Sequence, residues 1–91
     1  MLTIKRTSKF KQDFRKILQQ GYDTKILFEV IEKLARQEKL DKKYNDHPLK
    51  GEWLGFRECH ILPEWLLIYH INDKELILTL TRTGSHSDLF D

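Results

Sequence analysis

Ninety-one residues, 40% of them hydrophobic and 11% aromatic, suffice for one small core, so a single domain over residues 1–91 is expected. The one cysteine, Cys59, excludes an internal disulfide, and no apolar run approaches the roughly 20 residues that span a bilayer, which excludes a membrane-spanning helix. The net charge of +2 conceals a division: residues 1–50 hold 13 Lys and Arg against 7 Asp and Glu, net +6, whereas residues 51–91 hold 3 against 7, net −4. Solvated helix faces explain part of that asymmetry, because Lys and Glu are good helix formers. The sharper reading is a basic surface that gathers a polyanion toward a site built by the other half. Met1 is followed by mixed polar sequence rather than an apolar leader, so a cytoplasmic location and no membrane partner are expected.

In chain order, LTIKR (2–6) alternates with Leu2 and Ile4 on one side, the pattern of an opening strand. Ser8 is placed to cap a helix carrying Phe10, Phe14, Ile17 and Leu18 at helical spacing, and Gly21 ends it. Asp23 caps a second helix with the stripe Ile26 or Leu27, Val30, Ile31 and Leu34. From about 38 to 55 the periodicity stops, and Asn45, Pro48, Gly51 and Gly55 mark a structured loop. Three strands are expected next, Phe56–Ile61, Trp65–Ile71 and Glu75–Arg82, joined by Leu-Pro-Glu and Asn-Asp-Lys turns as an antiparallel meander. The tail ending in Leu89 and Phe90 is short enough to fold back on the sheet. The fold class is therefore α+β: an N-terminal strand, a two-helix hairpin, then a three-stranded meander with one face packed on the helices and the other open.

Strand parity sorts the ionisable groups. Glu58 and His60 point to one side, whereas Arg57, Cys59 and Ile61 point to the other. If Cys59 and Ile61 face the core, the carboxylate of Glu58 lies beside the imidazole of His60 on the open face. Arg57 then needs a partner or a route to the rim. Asp46-His47-Pro48 offers a second acid and imidazole beside a stiffening proline, and His86 follows Gly84 just beyond the last strand. His70, inside an apolar strand, reads as a satisfied core or rim histidine. Three imidazoles with carboxylates nearby support either metal binding or metal-free acid–base chemistry. The spacings match neither HExxH nor Cys/His zinc patterns, which favours the second, with no metal and no cofactor. RNA carries its own nucleophile, the 2′-hydroxyl, so cleavage needs only a base, an acid and a cation for the crowded phosphate. Lys50 and Arg82 are candidates for the cation, although Arg82 shares strand parity with Leu78 and Leu80. Trp53 and Phe90 are candidates to stack on a base.

The stretch DHPLKGEWLGFRECHILPEW (46–65), with LLIY after it and RTGSHSDLF at 82–90, resembles the YafQ branch of the RelE/ParE toxin superfamily, and the resemblance covers nearly the whole chain. It implies a RelE-like fold and a bacterial type II toxin: a small endoribonuclease that cuts mRNA, often on the ribosome, and is held inactive by a cognate antitoxin of the RelB/DinJ kind. It also implies that His47, His60 and His86 are catalytic, with the acidic positions at Glu58 and Glu64 and the terminal aromatic at Phe90. The family pattern commonly has Asp at both acidic positions; this chain has Glu at both.

The sequence thus leads to a metal-independent mRNA endoribonuclease working by 2′-hydroxyl attack. His60 and His86 are the acid and base pair, His47 contacts phosphate or substitutes in proton transfer, and Glu58 and Glu64 orient the imidazoles. Lys50, Trp53, Arg82 and Phe90 bind RNA. Two rivals stand beside it: a ParE-like toxin that binds a protein target such as gyrase, and a simple RNA-binding module.

Overall fold

The computed structural model describes residues 1–90. Strand β1 (Thr3–Arg6) is followed by helices α1 (Ser8–Gln19) and α2 (Thr24–Ala35), a short strand β2 (His47–Pro48), strands β3 (Arg57–Leu62), β4 (Trp65–Asn72) and β5 (Ile77–Gly84), and helix α3 (His86–Phe90). Turns of 3₁₀ helix at Lys42–Tyr44 and Gly51–Trp53 flank β2. The five strands form one sheet in the order β1-β5-β4-β3-β2, with β1 parallel to β5 and the other pairs antiparallel. No helix among the described residues is long and apolar enough to cross a membrane.

The expected α+β order is present, with additions that local pattern does not reveal. Strand β2 is two residues long, too short for an alternation to show. The tail folds as α3, with Ser85 at its start accepting from the Asp88 amide at 3.1 Å. Thr7 rather than Ser8 caps α1: its hydroxyl accepts from the Phe10 amide at 2.9 Å and donates to the Thr81 carbonyl at 2.7 Å. Two adjacent hydroxyl residues are equally competent caps, and the available carbonyl on β5 decides between them. Asp23 caps α2 as expected, accepting from Lys25.

The main core lies between the helices and one face of the sheet. Helix α1 contributes Phe10 and Ile17, and α2 contributes Leu27, Val30, Ile31, Leu34 and Ala35. The sheet supplies Cys59, Ile61, Trp65, Leu67, Tyr69, Leu78 and Leu80. Each fully buried Leu or Ile among these contributes about 1.5–3 kcal/mol through removal from water. The Trp65 indole stays satisfied within this core: it donates to Thr83 Oγ1 at 2.8 Å, and that hydroxyl donates to the Leu66 carbonyl at 2.8 Å. These two bonds hold β4 and β5 together next to the turn into α3.

The opposite face is less open than expected. Leu66, Ile68 and Leu89 form a second small cluster there, against which Leu49, Trp53, Phe56 and Phe90 pack. That cluster roofs part of the face and leaves the rows around Glu58 and His60 at its margin.

Candidate active site

Strands β2 and β3 assemble the centre of the site. His47 is paired with Glu58 across the two strands, and His60 follows Glu58 by two residues, so all three side chains share one face. Glu58 is a buried charge-bearing residue, 6% exposed. Its Oε1 lies 3.4 Å from His60 Nε2 and 3.8 Å from His47 Nε2. The other ring nitrogens face backbone carbonyls: His47 Nδ1 lies 3.1 Å from the Pro48 oxygen and His60 Nδ1 lies 3.3 Å from the Pro63 oxygen. A carbonyl only accepts, so Nδ1 on each ring is the donor, and Nε2 is directed at the carboxylate. Each Nε2 then offers a lone pair when the ring is neutral and an N–H when it is charged. One buried carboxylate serving two such imidazoles is an arrangement that can hold, take up and release a proton.

A second row continues from Glu58 across the sheet. Glu58 pairs with Ile68, and Ile68 pairs with Arg82. Strand parity alone had aligned Arg82 with core-facing Leu78 and Leu80, and a bulge removes that alignment. Ile68 and Tyr69 are consecutive on β4, but their partners Arg82 and Leu80 are two apart on β5, so Thr81 is the extra residue. Arg82 therefore turns to the face of Ile68 and Glu58, two strand spacings or about 10 Å from Glu58 at the backbone. From that row the guanidinium is engaged by Asp13 of α1, the helix packed on the core side of the sheet. Its Nε donates to Asp13 Oδ2 at 2.7 Å and Nη2 donates to Asp13 Oδ1 at 3.1 Å, while the Thr83 amide donates to Oδ2 at 3.1 Å. Hydrogen bonding to Asp13 outweighs burial and holds the guanidinium pKa above its ordinary value.

The remaining expected residues take separate places. His86 opens α3 on the surface, its ring 4.9 Å from that of Phe90. It is not part of the Glu58 trio, but it lies at the same end of the sheet as His60, because His60 pairs with Leu66 and Leu66 with Gly84. Gly84, at φ +152°, makes the turn that delivers it. Trp53 stands edge-on to Phe56 and to Phe90, at 5.5 and 6.0 Å, so it supports the roof more than it offers a free ring face. Lys50 is exposed just before the second 3₁₀ turn. Glu64 is exposed in the β3–β4 turn and makes no ion pair among the described residues.

Asp46 corrects one expected pairing. It does not serve His47; alternation along the strand turns it to the other face. There Tyr69 Oη donates to its Oδ1 at 2.6 Å and Arg57 Nη2 donates to its Oδ2 at 3.2 Å. This gives core-parity Arg57 its partner: burial lowers the guanidinium pKa, and the bonds to Asp46 and Tyr69 outweigh it. Burial, then the bond to Asp46, pushes the Tyr69 phenol well above its ordinary range, so it remains a donor. The cluster fixes the chain immediately before His47. Asp13 is a residue that sequence reasoning passed over, although a signal was there: it falls three residues after Phe10 and four before Ile17, on the inward side of α1.

The chemistry of the trio also bears on metals. The ligand atoms of His47, Glu58 and His60 all lie within 4.8 Å of one another. Ligands 2.0–2.2 Å from a tetrahedral ion stand about 3.4 Å apart, so the His60–Glu58 spacing of 3.4 Å matches, and a small inward shift of His47 from 3.8 Å would let the three hold an ion such as zinc or copper.

With this geometry in view, comparison with known proteins is decisive for kinship. The sequence profile of YafQ, the bacterial toxin of type II toxin–antitoxin systems, matches residues 2–91. The chain belongs to the YafQ toxin family. The mRNA interferase toxin YafQ of Escherichia coli K12 is 51% identical over 47 residues, 52% of this chain and 49% of that protein. The match thus spans about half the length of the curated relatives. Among solved structures, a metal-bound toxin from Helicobacter pylori is 48% identical with a TM-score of 0.94, covering 99% of this chain and 100% of the other. YafQ from E. coli BL21(DE3) is 30% identical with a TM-score of 0.93, covering 100% of both chains. YafQ in the E. coli DinJ–YafQ complex is 32% identical with a TM-score of 0.90, again covering 100% of both. The YafQ family assignment and the RelE-like α+β fold expected from the sequence are borne out.

Proposed function

We propose that this protein is an mRNA endoribonuclease, the toxin of a type II pair, and that it cleaves by attack of the RNA 2′-hydroxyl on the adjacent phosphate. The observation that carries this reading is the buried Glu58 carboxylate set between the Nε2 atoms of His47 and His60 on a rigid strand pair. In the reaction one imidazole removes the 2′-hydroxyl proton and another protonates the departing 5′-oxygen. His60 and His86 are the acid and base pair, with His47 toward the phosphate. Glu58 keeps the two rings of its trio aligned, and Glu64, exposed in the β3–β4 turn, orients the catalytic pair. Lys50 and Arg82 supply positive charge, and Phe90, backed by Trp53, positions a base. The mRNA can be ribosome-bound. The partner is a cognate antitoxin of the DinJ kind, the location is the cytoplasm, and the reaction uses no cofactor.

Changing both His60 and His86 to Ala tests this reading in cells and in a cleavage assay. Loss of both growth arrest and RNA cleavage is the expected outcome. Growth arrest that survives both changes would favour a toxin acting on a protein target such as gyrase, and RNA binding without turnover in the unaltered protein would favour a simple binding module.

The fit of the trio to an ion, together with the metal-bound state of the H. pylori relative, supports a second reading of the same residues. An ion held by His47, Glu58 and His60 would occupy the lone pairs that proton transfer requires. Bound metal would therefore inhibit, and a chelator would leave activity unchanged or raise it.

A further inference from the structure

Beside the trio, but outside it, a cavity of about 530 Å³ opens between α2, the 3₁₀ turn at Lys42–Tyr44 and the turn from β3 to β4. This is within the size range of small-ligand sites. His60 belongs to both places: its Nε2 faces Glu58, and the residue stands on the rim of the cavity between Asn45 and Ile61. We propose that this cavity is a base subsite for an RNA nucleotide next to the scissile phosphate, and that it selects guanine. The proposal rests on the endoribonuclease reading and adds to it a determinant of sequence preference.

The lining suits a nucleotide better than a peptide. Ile26 and Ile61 give apolar walls, and Tyr44 gives a flat aromatic one. The Lys43 ammonium lies 5.2 Å from the Tyr44 ring centroid, so an aromatic face and a mobile cation stand together. A base stacked on Tyr44 takes the place of that ammonium, which is then free to pair with the phosphate of the same nucleotide. The polar groups of the cavity are Glu29 and Asn45. Neither side chain has a hydrogen-bond or ion-pair partner among the described residues, so both are available to a ligand. Asn45 is held in a left-handed conformation at φ +44°, with its amide donating to the Lys42 carbonyl at 3.0 Å, which fixes the base of its side chain. A carboxylate accepts most strongly from two neighbouring N–H groups, and guanine alone among the RNA bases presents such a pair, N1–H and N2–H, on its Watson–Crick edge. The Asn45 amide complements the O6 side.

The test is the kcat/KM of short RNAs that differ only in the base next to the cut, for the unaltered protein, Glu29→Gln and Asn45→Gly; glycine retains the left-handed backbone. A preference for guanine at one fixed position is expected, and Glu29→Gln should lower the guanine-to-uracil ratio about tenfold, consistent with the loss of one two-point contact. A flat profile in the unaltered protein, or a guanine preference that survives both substitutions, would overturn the subsite. A second measurement does not depend on cleavage. Guanosine 5′-monophosphate should produce saturable shifts in the backbone NMR signals of Glu29, Tyr44 and Asn45, weaker with uridine 5′-monophosphate and lost in Glu29→Gln. Absence of those shifts, or equal shifts with both nucleotides, overturns the subsite even if RNA is cut. Failure of the protein to cut any RNA overturns the endoribonuclease reading instead.

Discussion

Glu58 Oε1 lies 3.4 Å from His60 Nε2 on a carboxylate that is almost wholly withdrawn from water. Its second neighbour, His47 Nε2, lies 3.8 Å away on the paired strand. Replacing Glu58 by Gln preserves shape and volume but removes the charge that both imidazoles face. Single-turnover cleavage should then slow by about 10²-fold, the lower range for losing an aligned proton-transfer group. The fold should persist, as checked by circular dichroism. An unchanged rate would remove Glu58 from the mechanism.

Asp13 is the anchor of Arg82. Its carboxylate receives two guanidinium bonds and the Thr83 amide, so Asp13→Ala leaves a mostly buried cation and a backbone donor without an acceptor. The expected cost is about 2 kcal/mol. For a domain of this size that lowers the thermal midpoint by roughly 10 °C. An unaltered midpoint would mean that Arg82 finds another partner, and the bulge at Thr81 would then not depend on α1.

The C-terminal helix should loosen in acid. Lys16 Nζ donates to Asp88 Oδ1 at 3.0 Å, and this bond, followed by those from Ser85, holds the Asp88 carboxyl below its ordinary value. A depressed folded-state pKa contributes stability above the unfolded value, near 3.9, and that contribution is lost as pH falls through the folded value. The NMR signals of His86 and Phe90 should therefore respond to Asp88→Asn at neutral pH. They should converge with those of the unaltered protein only below the usual carboxylate range. Identical spectra at neutral pH would contradict the anchoring role.

Cys59 should be chemically silent in the folded protein. It is fully buried, and burial, then the charges of Asp46 and Glu58, push its thiol well above the ordinary range. Labelling by a thiol reagent at pH 8 should be slower than in denaturant by about 10²-fold or more. Fast labelling of the native protein would show that β3 opens locally, and with it the trio.

Much of this arrangement is legible in the sequence because a period of two is a strong constraint. Cys59 and Ile61 at core positions force Glu58 and His60 to the other face, and the helical stripes of α1 and α2 define what covers the first one. What local pattern does not carry is an inserted residue: Leu78, Leu80 and Arg82 alternate correctly on paper, yet Thr81 bulges and reverses Arg82. Nor does it carry pairing between distant segments. Strand β1 joins β5 across most of the chain, and the two residues of β2 become a strand only because β3 is beside them. Asp46 looked like a companion of His47 by adjacency, but neighbours on a strand face apart, and its true partners are 11 and 23 residues away. The resemblance of DHPL and TGSH to the YafQ pattern reached across such gaps; it did not indicate that His86 would stand on α3, outside the Glu58 trio.

The most direct test of the central claim is the chemistry of the ends left on RNA cut by the purified protein in excess EDTA. Attack by the 2′-hydroxyl must leave a 2′,3′-cyclic phosphate, or the 3′-phosphate formed on its hydrolysis, opposite a 5′-hydroxyl. A 3′-hydroxyl opposite a 5′-phosphate, or cleavage that stops in EDTA and returns with a divalent metal, would contradict it.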